Sequence, residues 1–280
     1  MAREIGFDDI TLTYVSLAEA RRMGGLRLIL GAYAIPGPWR ESCKGLFDVK
    51  GIPYTCVRCS NGGAVETDFG ANGAHSELIA WTAQSSAPVA VWEDERPRSS
   101  WVDQLNLAER LKPEPRLIPT DFDARVRMFG LINELAGENG LAWSKRLMLT
   151  EQALATAAPG SPEHAFWQTL GGKYGYSPEV ARHAKARMLD ILGHLDAELA
   201  RQEARGSRYY IGDALTALDI YSACFYALLD PLPEELCPMA TSYRPAYRNA
   251  DPDIERAMTP RIAAHRDHVY RQHLVLPVVF

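Results

Sequence analysis

Cysteine is scarce in this chain: five among 280 residues, and an odd number. A chain this long buries enough surface to fold without covalent staples. A disulfide scaffold is therefore excluded, and the thiols read as reduced, small apolar residues. No uninterrupted apolar run reaches the roughly 18 residues a membrane-spanning helix needs. The opening Met1-Ala-Arg-Glu-Ile-Gly-Phe-Asp-Asp-Ile10 carries acids where a secretory signal needs an apolar core, so a cytoplasmic setting is expected. Basic residues are not in excess, with Lys+Arg 30 against Asp+Glu 35 and a net charge of −5. Nucleic acid and anionic membrane surfaces are poor partners for such a chain. Repeats and low-complexity tracts are missing too, and 47% hydrophobic with 23% charged residues is ordinary globular composition.

Two of the cysteines form Cys56-Val-Arg-Cys59. Three readings are open: small apolar residues, half a zinc site, or a thioredoxin-type redox pair. A zinc site lacks a second pair of ligands at the right spacing. A redox pair belongs on a strand-to-helix turn, where the helix N-terminus lowers a thiol pKa. Ile52-Pro-Tyr-Thr-Cys-Val-Arg-Cys59 reads instead as a strand.

Along the chain, residues 1–24 form an N-terminal extension in which Ser16-Leu-Ala-Glu19 is a capping-box pattern. Leu26–Leu30 is a short apolar strand, and a helix runs from about Pro38 to Lys50 with Gly51 as its C-cap. The strand at 52–58 completes a βαβ unit. Residues 60–75 are loop, 76–81 a short helix, 88–92 a strand, and 99–111 a helix. Lys112-Pro-Glu-Pro115 is a stiff, polar linker. Strand signals then stop. Helices are expected over 121–137 and 141–156, split at Gly137-Glu-Asn-Gly140. Ser177-Pro-Glu opens a long helix, whose apolar face is Val180, Ala184, Met188, Ile191, Leu192, Leu195 and Leu199. The segment Thr216–Leu229 is apolar all round and so expected at a domain centre. The scattered histidines, His265 and His268 among them, read as surface residues. The apolar tail Leu274–Phe280 is expected to dock on the protein or a partner.

In Gly212-Asp-Ala-Leu-Thr216-Ala-Leu-Asp219-Ile220 the Thr216 hydroxyl can accept the Asp219 N–H. Asp219 can reach back to the Thr216 N–H, and Leu215 can pack on Ile220 as a hydrophobic staple. On its own this pattern only starts a buried helix firmly. Placed on a central helix behind a βαβ-type domain, Gly-Asp-x-x-Thr-x-x-Asp resembles a structural signature of the glutathione transferase family. Lys50-Gly-Ile-Pro-Tyr54 and Ser85-Ser-Ala-Pro-Val89 look like the family's entries into its second and third strands.

The resemblance implies a fold of α/β plus all-α class: a thioredoxin-like N-terminal domain followed by a helical-bundle C-terminal domain. The expected divisions are an extension at 1–24, the thioredoxin-like domain at 25–112, a linker at 113–119 and an all-helical domain at 120–280. It implies a cis peptide before Pro88, with the backbone of Ala87 bonding the cysteinyl part of glutathione. At the next helix start the family places an acid and a serine for the γ-glutamyl group. Ser100 fits the serine, while Ser99 departs from the acid; Asp103, one turn on, is a substitute, and plain helix capping is the alternative role for both serines.

The implied chemistry is activation of the glutathione thiol, whose pKa of about 8.5 leaves little thiolate at neutral pH. Tyr33, three residues past the first strand, is the candidate hydroxyl; lining the apolar cleft or plain packing are its other roles. Gly37 occupies the slot of the serine-type members, Cys43 lies too far into the helix for the cysteine type, and Ser42 would serve only if the helix began late. A small, mostly apolar electrophile would lie between the domains, with Trp39 and Trp143 as wall residues and Arg40 or Arg146 favouring an anionic one. No metal is implied, and a homodimer is. A glutathione-dependent lyase, reductase or isomerase on the same fold, or a non-catalytic interaction module, are the alternative functions.

Overall fold

The computed structural model describes residues 12–31, 36–59, 76–239, 244, 249 and 251–280. The chain divides into two compact units. The first comprises Met1–Ile118, Ala227–Arg248 and Asp267–Phe280, the second Pro119–Tyr226 and Asn249–Arg266.

In the first unit, β1 (Val15–Ser16), β2 (Leu26–Leu30), β3 (Tyr54–Arg58) and β4 (Val89–Trp92) form one sheet in the order β1-β3-β2-β4. β3 pairs parallel with β1 and β2, and β4 runs antiparallel to β2. Every residue of β2 is buried, as a central strand covered on both faces requires. One face carries Ile29, Val57, Val89 and Val91, packed with Leu17 and Ala20 of α1 (Leu17–Ala20) and Leu78 of α3 (Ser76–Thr82). Residues alternating with these along the strands point to the other face. α2 (Pro38–Val49) and α4 (Trp101–Leu111) pack against each other. Pro38 starts α2, and Gly51, at φ +58, closes it.

Ser16 and Glu19 form a complete capping box that starts α1, as the sequence pattern implies, and the same segment also supplies β1, which the sequence reading lacks. A two-residue strand gives no detectable periodicity. The tail also belongs to this unit: Val278 donates to the Leu236 carbonyl at 2.8 Å, and Phe280 is fully buried with Arg40 5.2 Å from its ring centre.

The linker is fixed from within. Lys50 has no exposure, and its ammonium contacts Glu109 at 2.6 Å and the carbonyls of Lys112 and Pro115 at 2.8 Å each.

The second unit is helical: α5 (Phe122–Ala136), α6 (Leu141–Thr156), α7 (Pro162–Lys173), α8 (Pro178–Glu203), α9 (Ala217–Tyr226), α10 (Pro252–Ala257) and the first turns of α11 (Pro260–His273). α6 packs on α5, α7 and α8, and α9 on α5. The break between α5 and α6 falls at the expected glycines. A Cβ on Gly140 would lie 2.7 Å from the Glu134 carbonyl oxygen, so only glycine permits that chain approach. α7, with Ser161 as N-cap, has no counterpart in the sequence reading. On α8 the expected apolar face is buried except for Val180, which is 44% exposed in the first turn.

All ten residues of α9 are buried, and Asp219 organises its start. Its Oδ2 accepts the Thr216 N–H and hydroxyl, each at 2.8 Å. Its Oδ1 accepts the Tyr210 N–H at 2.9 Å and lies 3.0 Å from His265 Nε2. The Thr216 hydroxyl thus donates to the carboxylate, the strongest acceptor in reach, rather than accepting the Asp219 N–H, which bonds the Thr216 carbonyl at 3.2 Å. His265, expected at the surface, is buried, with its ring edge-to-face against Tyr210 at 4.5 Å. Asp219→Ala strands these donors in an apolar interior and should lower the unfolding free energy by about 3–5 kcal/mol. Urea denaturation measures it; a loss below about 1 kcal/mol, that of an ordinary hydrogen bond, would remove Asp219 from this role.

Candidate functional site

The Ala87–Pro88 peptide leads into β4 and is cis. Ala87 is half-buried against the sheet core. Among the described residues nothing hydrogen-bonds its N–H or carbonyl, so this stretch of backbone is free to pair with an extended ligand.

A polar side chain that sequence reasoning missed sets the geometry. Gln104, 2% exposed on α4, donates through Nε2 to the Pro88 carbonyl at 3.1 Å and the Arg98 carbonyl at 3.3 Å. Arg98 in turn exchanges two backbone bonds with Ala90, at 2.8 and 2.9 Å. The proline turn, the return strand and the start of α4 are therefore tied at one point. The available signal was a glutamine on the stripe with Leu105 and Ala108, where burial demands that its amide find partners.

Ser100 is the N-cap of α4, and its Oγ accepts the Asp103 N–H at 3.1 Å. Its hydroxyl also hydrogen-bonds the Asp103 carboxylate, which helps to lower that group's pKa. A helix N-terminus suits a carboxylate. Ser99 is exposed. Asp103 is salt-bridged to Arg96 at 3.1 Å, which holds its carboxyl below the usual range. Glu95 accepts from Arg98 and Arg110 and is lowered likewise, chiefly by Arg110. Ala87, Pro88, Ser99 and Ser100 thus lie on one connected stretch of the first unit.

Tyr33 lies outside the described residues. Gly31, two residues earlier in the sequence, accepts from Arg40, whose Nε also contacts Glu41 at 2.9 Å. Lys44 contacts the same carboxylate at 2.9 Å and the Val279 carbonyl at 2.6 Å. Arg40 is buried inside this group, which corrects its reading as a residue offered to an anionic substrate. Ser42 is also fully buried and donates to the Trp39 carbonyl at 3.2 Å, so it is no thiol activator; Trp39 is half-buried. In the second unit, Trp143 donates to the Tyr174 carbonyl at 2.9 Å and meets the Tyr174 ring edge-on at 4.8 Å.

All five cysteines are free and buried. Burial pushes the Cys56 thiol up to about 11, the Cys237 thiol to about 12, and that of Cys43 further. Burial thus disfavours the thiolate at these three positions. Among the described residues no group of His, Cys, Asp and Glu could hold a metal ion, and no helix is long and apolar enough to cross a membrane.

A four-stranded sheet with a cis proline leading into β4, together with a helical unit in which a Thr–Asp box starts α9, defines the class of fold. Comparison with solved structures gives it a name. A glutathione S-transferase from Methylobacterium radiotolerans, solved with glutathione sulfonate, matches at 15% identity and TM-score 0.54, covering 89% of this chain and 92% of its own. A bacterial maleyl pyruvate isomerase of the zeta class matches at 16% identity and TM-score 0.52, covering 89% and 93%. A beta-etherase from Sphingobium matches at 14% identity and TM-score 0.52, covering 83% and 98%. No family model matches the sequence, and no curated protein matches it. The chain has the glutathione transferase fold.

The thiols make a direct prediction. At pH 8 the native protein should react with fewer than one equivalent of a thiol reagent within minutes, and with all five after denaturation. Rapid labelling of Cys56 or Cys59 in the native protein would restore the redox-pair reading.

Proposed function

We propose that the protein is a glutathione-dependent transferase that presents the glutathione thiolate to a small, mostly apolar electrophile. The observation that carries this is the free backbone of Ala87 at the cis-proline turn, tied through Gln104 to the Ser100 end of α4. An extended γ-linked tripeptide offers an amide N–H and C=O for Ala87 and a carboxylate for Ser100. The protein's own thiols are all buried, and burial raises those of Cys43, Cys56 and Cys237, so in this reading the reacting sulfur is the ligand's. Lowering its pKa by two units corresponds to about 2.7 kcal/mol of preference for the anion. In this proposal the Tyr33 hydroxyl supplies that preference as a hydrogen-bond donor, and Trp39 and Trp143 wall the electrophile. The thiolate attacks the electrophilic carbon, and the leaving group departs with its electron pair.

The resemblance also carries a homodimer and a cytoplasmic setting into the proposal. Phe122 and Val126, 74% and 56% exposed one turn apart on α5, are apolar side chains such a dimer would cover. Two observations favour other readings. Isomerase and etherase neighbours share the fold, so glutathione-dependent isomerisation or bond cleavage is the second reading. Exposed Ser99, where the family has an acid, favours a non-catalytic module.

Titration calorimetry at millimolar glutathione is the test. Binding is expected, with Ser100→Ala weakening it by roughly tenfold, the loss of a hydrogen bond to a charged group. Tyr33→Phe should lower kcat and leave glutathione affinity nearly unchanged. Absence of any binding heat overturns the proposal, and product analysis against an electrophile panel separates transfer from isomerisation and cleavage. Light scattering reads the dimer, and Phe122→Glu should dissociate it.

A further inference from the structure

Beside Ser100 the chain supplies its own cation to its own acid. Asp103 stands on the first turn of α4. Its N–H donates to Ser100 Oγ at 3.1 Å, and the Ser100 hydroxyl bonds its carboxylate. Arg96 Nη2 lies 3.1 Å from Asp103 Oδ1. The bond from Arg96 is the main cause that holds this carboxyl below the usual range; burial opposes it, and Ser100 and Arg98 reinforce it. Arg96 is 68% exposed, and an exposed ion pair is weak by itself. Its main chain is fixed, however. Pro97 follows it, and Arg98 Nη1 donates to its carbonyl at 2.9 Å. Arg98 is itself 12% exposed and paired with Glu95. Arg96 is thus a tethered partner that never leaves the reach of Asp103.

This arrangement bears on the ligand. A γ-glutamyl group carries its carboxylate and its ammonium on one carbon. With the carboxylate at the start of α4, the ammonium comes within reach of the groups around Ser100. Ser99 is exposed and neutral. Glu93, Asp94 and Glu95 leave β4 at the end opposite Pro88, five residues of extended chain or ~16 Å away. The paired backbones of Ala90 and Arg98 then carry the chain back toward the Pro88 end, where Ser100 lies. Glu93 directs its carboxylate at Gly24, where a Cβ would lie 3.0 Å from Oε2, and Glu95 is held by Arg98 and Arg110. The acid that meets Ser100 is Asp103, and a guanidinium of the chain already neutralises it.

We propose that Arg96 stands in for the ligand's ammonium, so that the site selects a carboxylate-bearing thiol and does not require an α-amino group. This rests on the glutathione reading above and narrows it. The substrate class is a thiol acylated by a dicarboxylic acid, whether its amine is free, blocked or missing. Arg96 is then a specificity-determining residue, because it keeps Asp103 from acting as counter-charge to an amine.

The test is titration calorimetry of the full chain with two ligands: glutathione, and glutaryl-cysteinyl-glycine, which is glutathione without its amino group. In the parent protein the two affinities should differ by less than about fivefold, below the loss of a hydrogen bond between charged groups. In Arg96→Gln, Asp103 becomes available to the ammonium. Glutathione should then gain on the amine-free ligand by roughly tenfold, and adding Asp103→Asn should abolish the gain. A parent that prefers glutathione by about fivefold or more overturns the inference and leaves the glutathione reading standing. An unchanged ratio of affinities in Arg96→Gln does the same. Absence of binding heat with both ligands overturns the glutathione reading, and this inference with it.

Discussion

The helical unit depends on the carboxylate of Asp219. This group has no solvent exposure, and it gathers two backbone N–H groups, a threonine hydroxyl and an imidazole around its two oxygens. A carboxylate in an apolar interior survives only when so satisfied. The arrangement does more than start α9. Tyr210 comes from the segment after α8, Thr216 from the turn, and His265 from α11, so one side chain joins three pieces of chain distant in sequence. An ionised carboxylate only accepts, so His265 presents its Nε2 proton to it. Ser222 of α9 extends the network by donating to the Tyr210 hydroxyl at 2.9 Å.

The thioredoxin-like unit repeats the same economy with main-chain acceptors, Lys50 also pairing with the Glu109 carboxylate. Lys50 and Gln104 are almost wholly buried, and both spend their donors on main-chain carbonyls of non-repetitive chain. Loops expose backbone groups that strands and helices would pair internally. A side-chain donor projected from a regular helix is one way to satisfy them without adding structure. Lys50 does this for the linker and Gln104 for the proline turn. The free backbone of Ala87 is a defined edge because its neighbours Pro88, Ala90 and Arg98 are already held.

What the sequence revealed and what it hid divide along the same line. Punctuation was legible because it is local: Pro38 and Gly51 around α2, Ser177-Pro178 opening α8, and the glycines between α5 and α6 each act within a few residues. The Thr216–Asp219 pair was legible for the same reason. Gln104 and His265 were not, since their partners lie on other elements. His265 shares its stripe with Ile262 and Val269, both fully buried, a spacing that its reading as a surface residue passed over. β1 is too short for a period. α7 lay in a stretch whose Gly171-Gly172-Lys173 argues against a helix on propensity, although Gly171 is required by its approach to Thr150. The tail was legible as apolar, but the elements it joins were not.

The placement of Cys56 and Cys59 bears on what the thioredoxin-like scaffold is used for. A redox pair needs both sulfurs on one side of a turn, within about 4.5 Å between Cβ atoms. At a separation of three along extended chain the two side chains point to opposite faces of the sheet. Cys59 packs with Leu17 and Leu78 on the α1–α3 face, leaving Cys56 for the other. Both are buried, and burial raises the Cys56 thiol although Lys44 and Arg40 act to lower it. The scaffold thus has its cis-proline turn at Ala87–Pro88, while Cys56 and Cys59 serve as core packing.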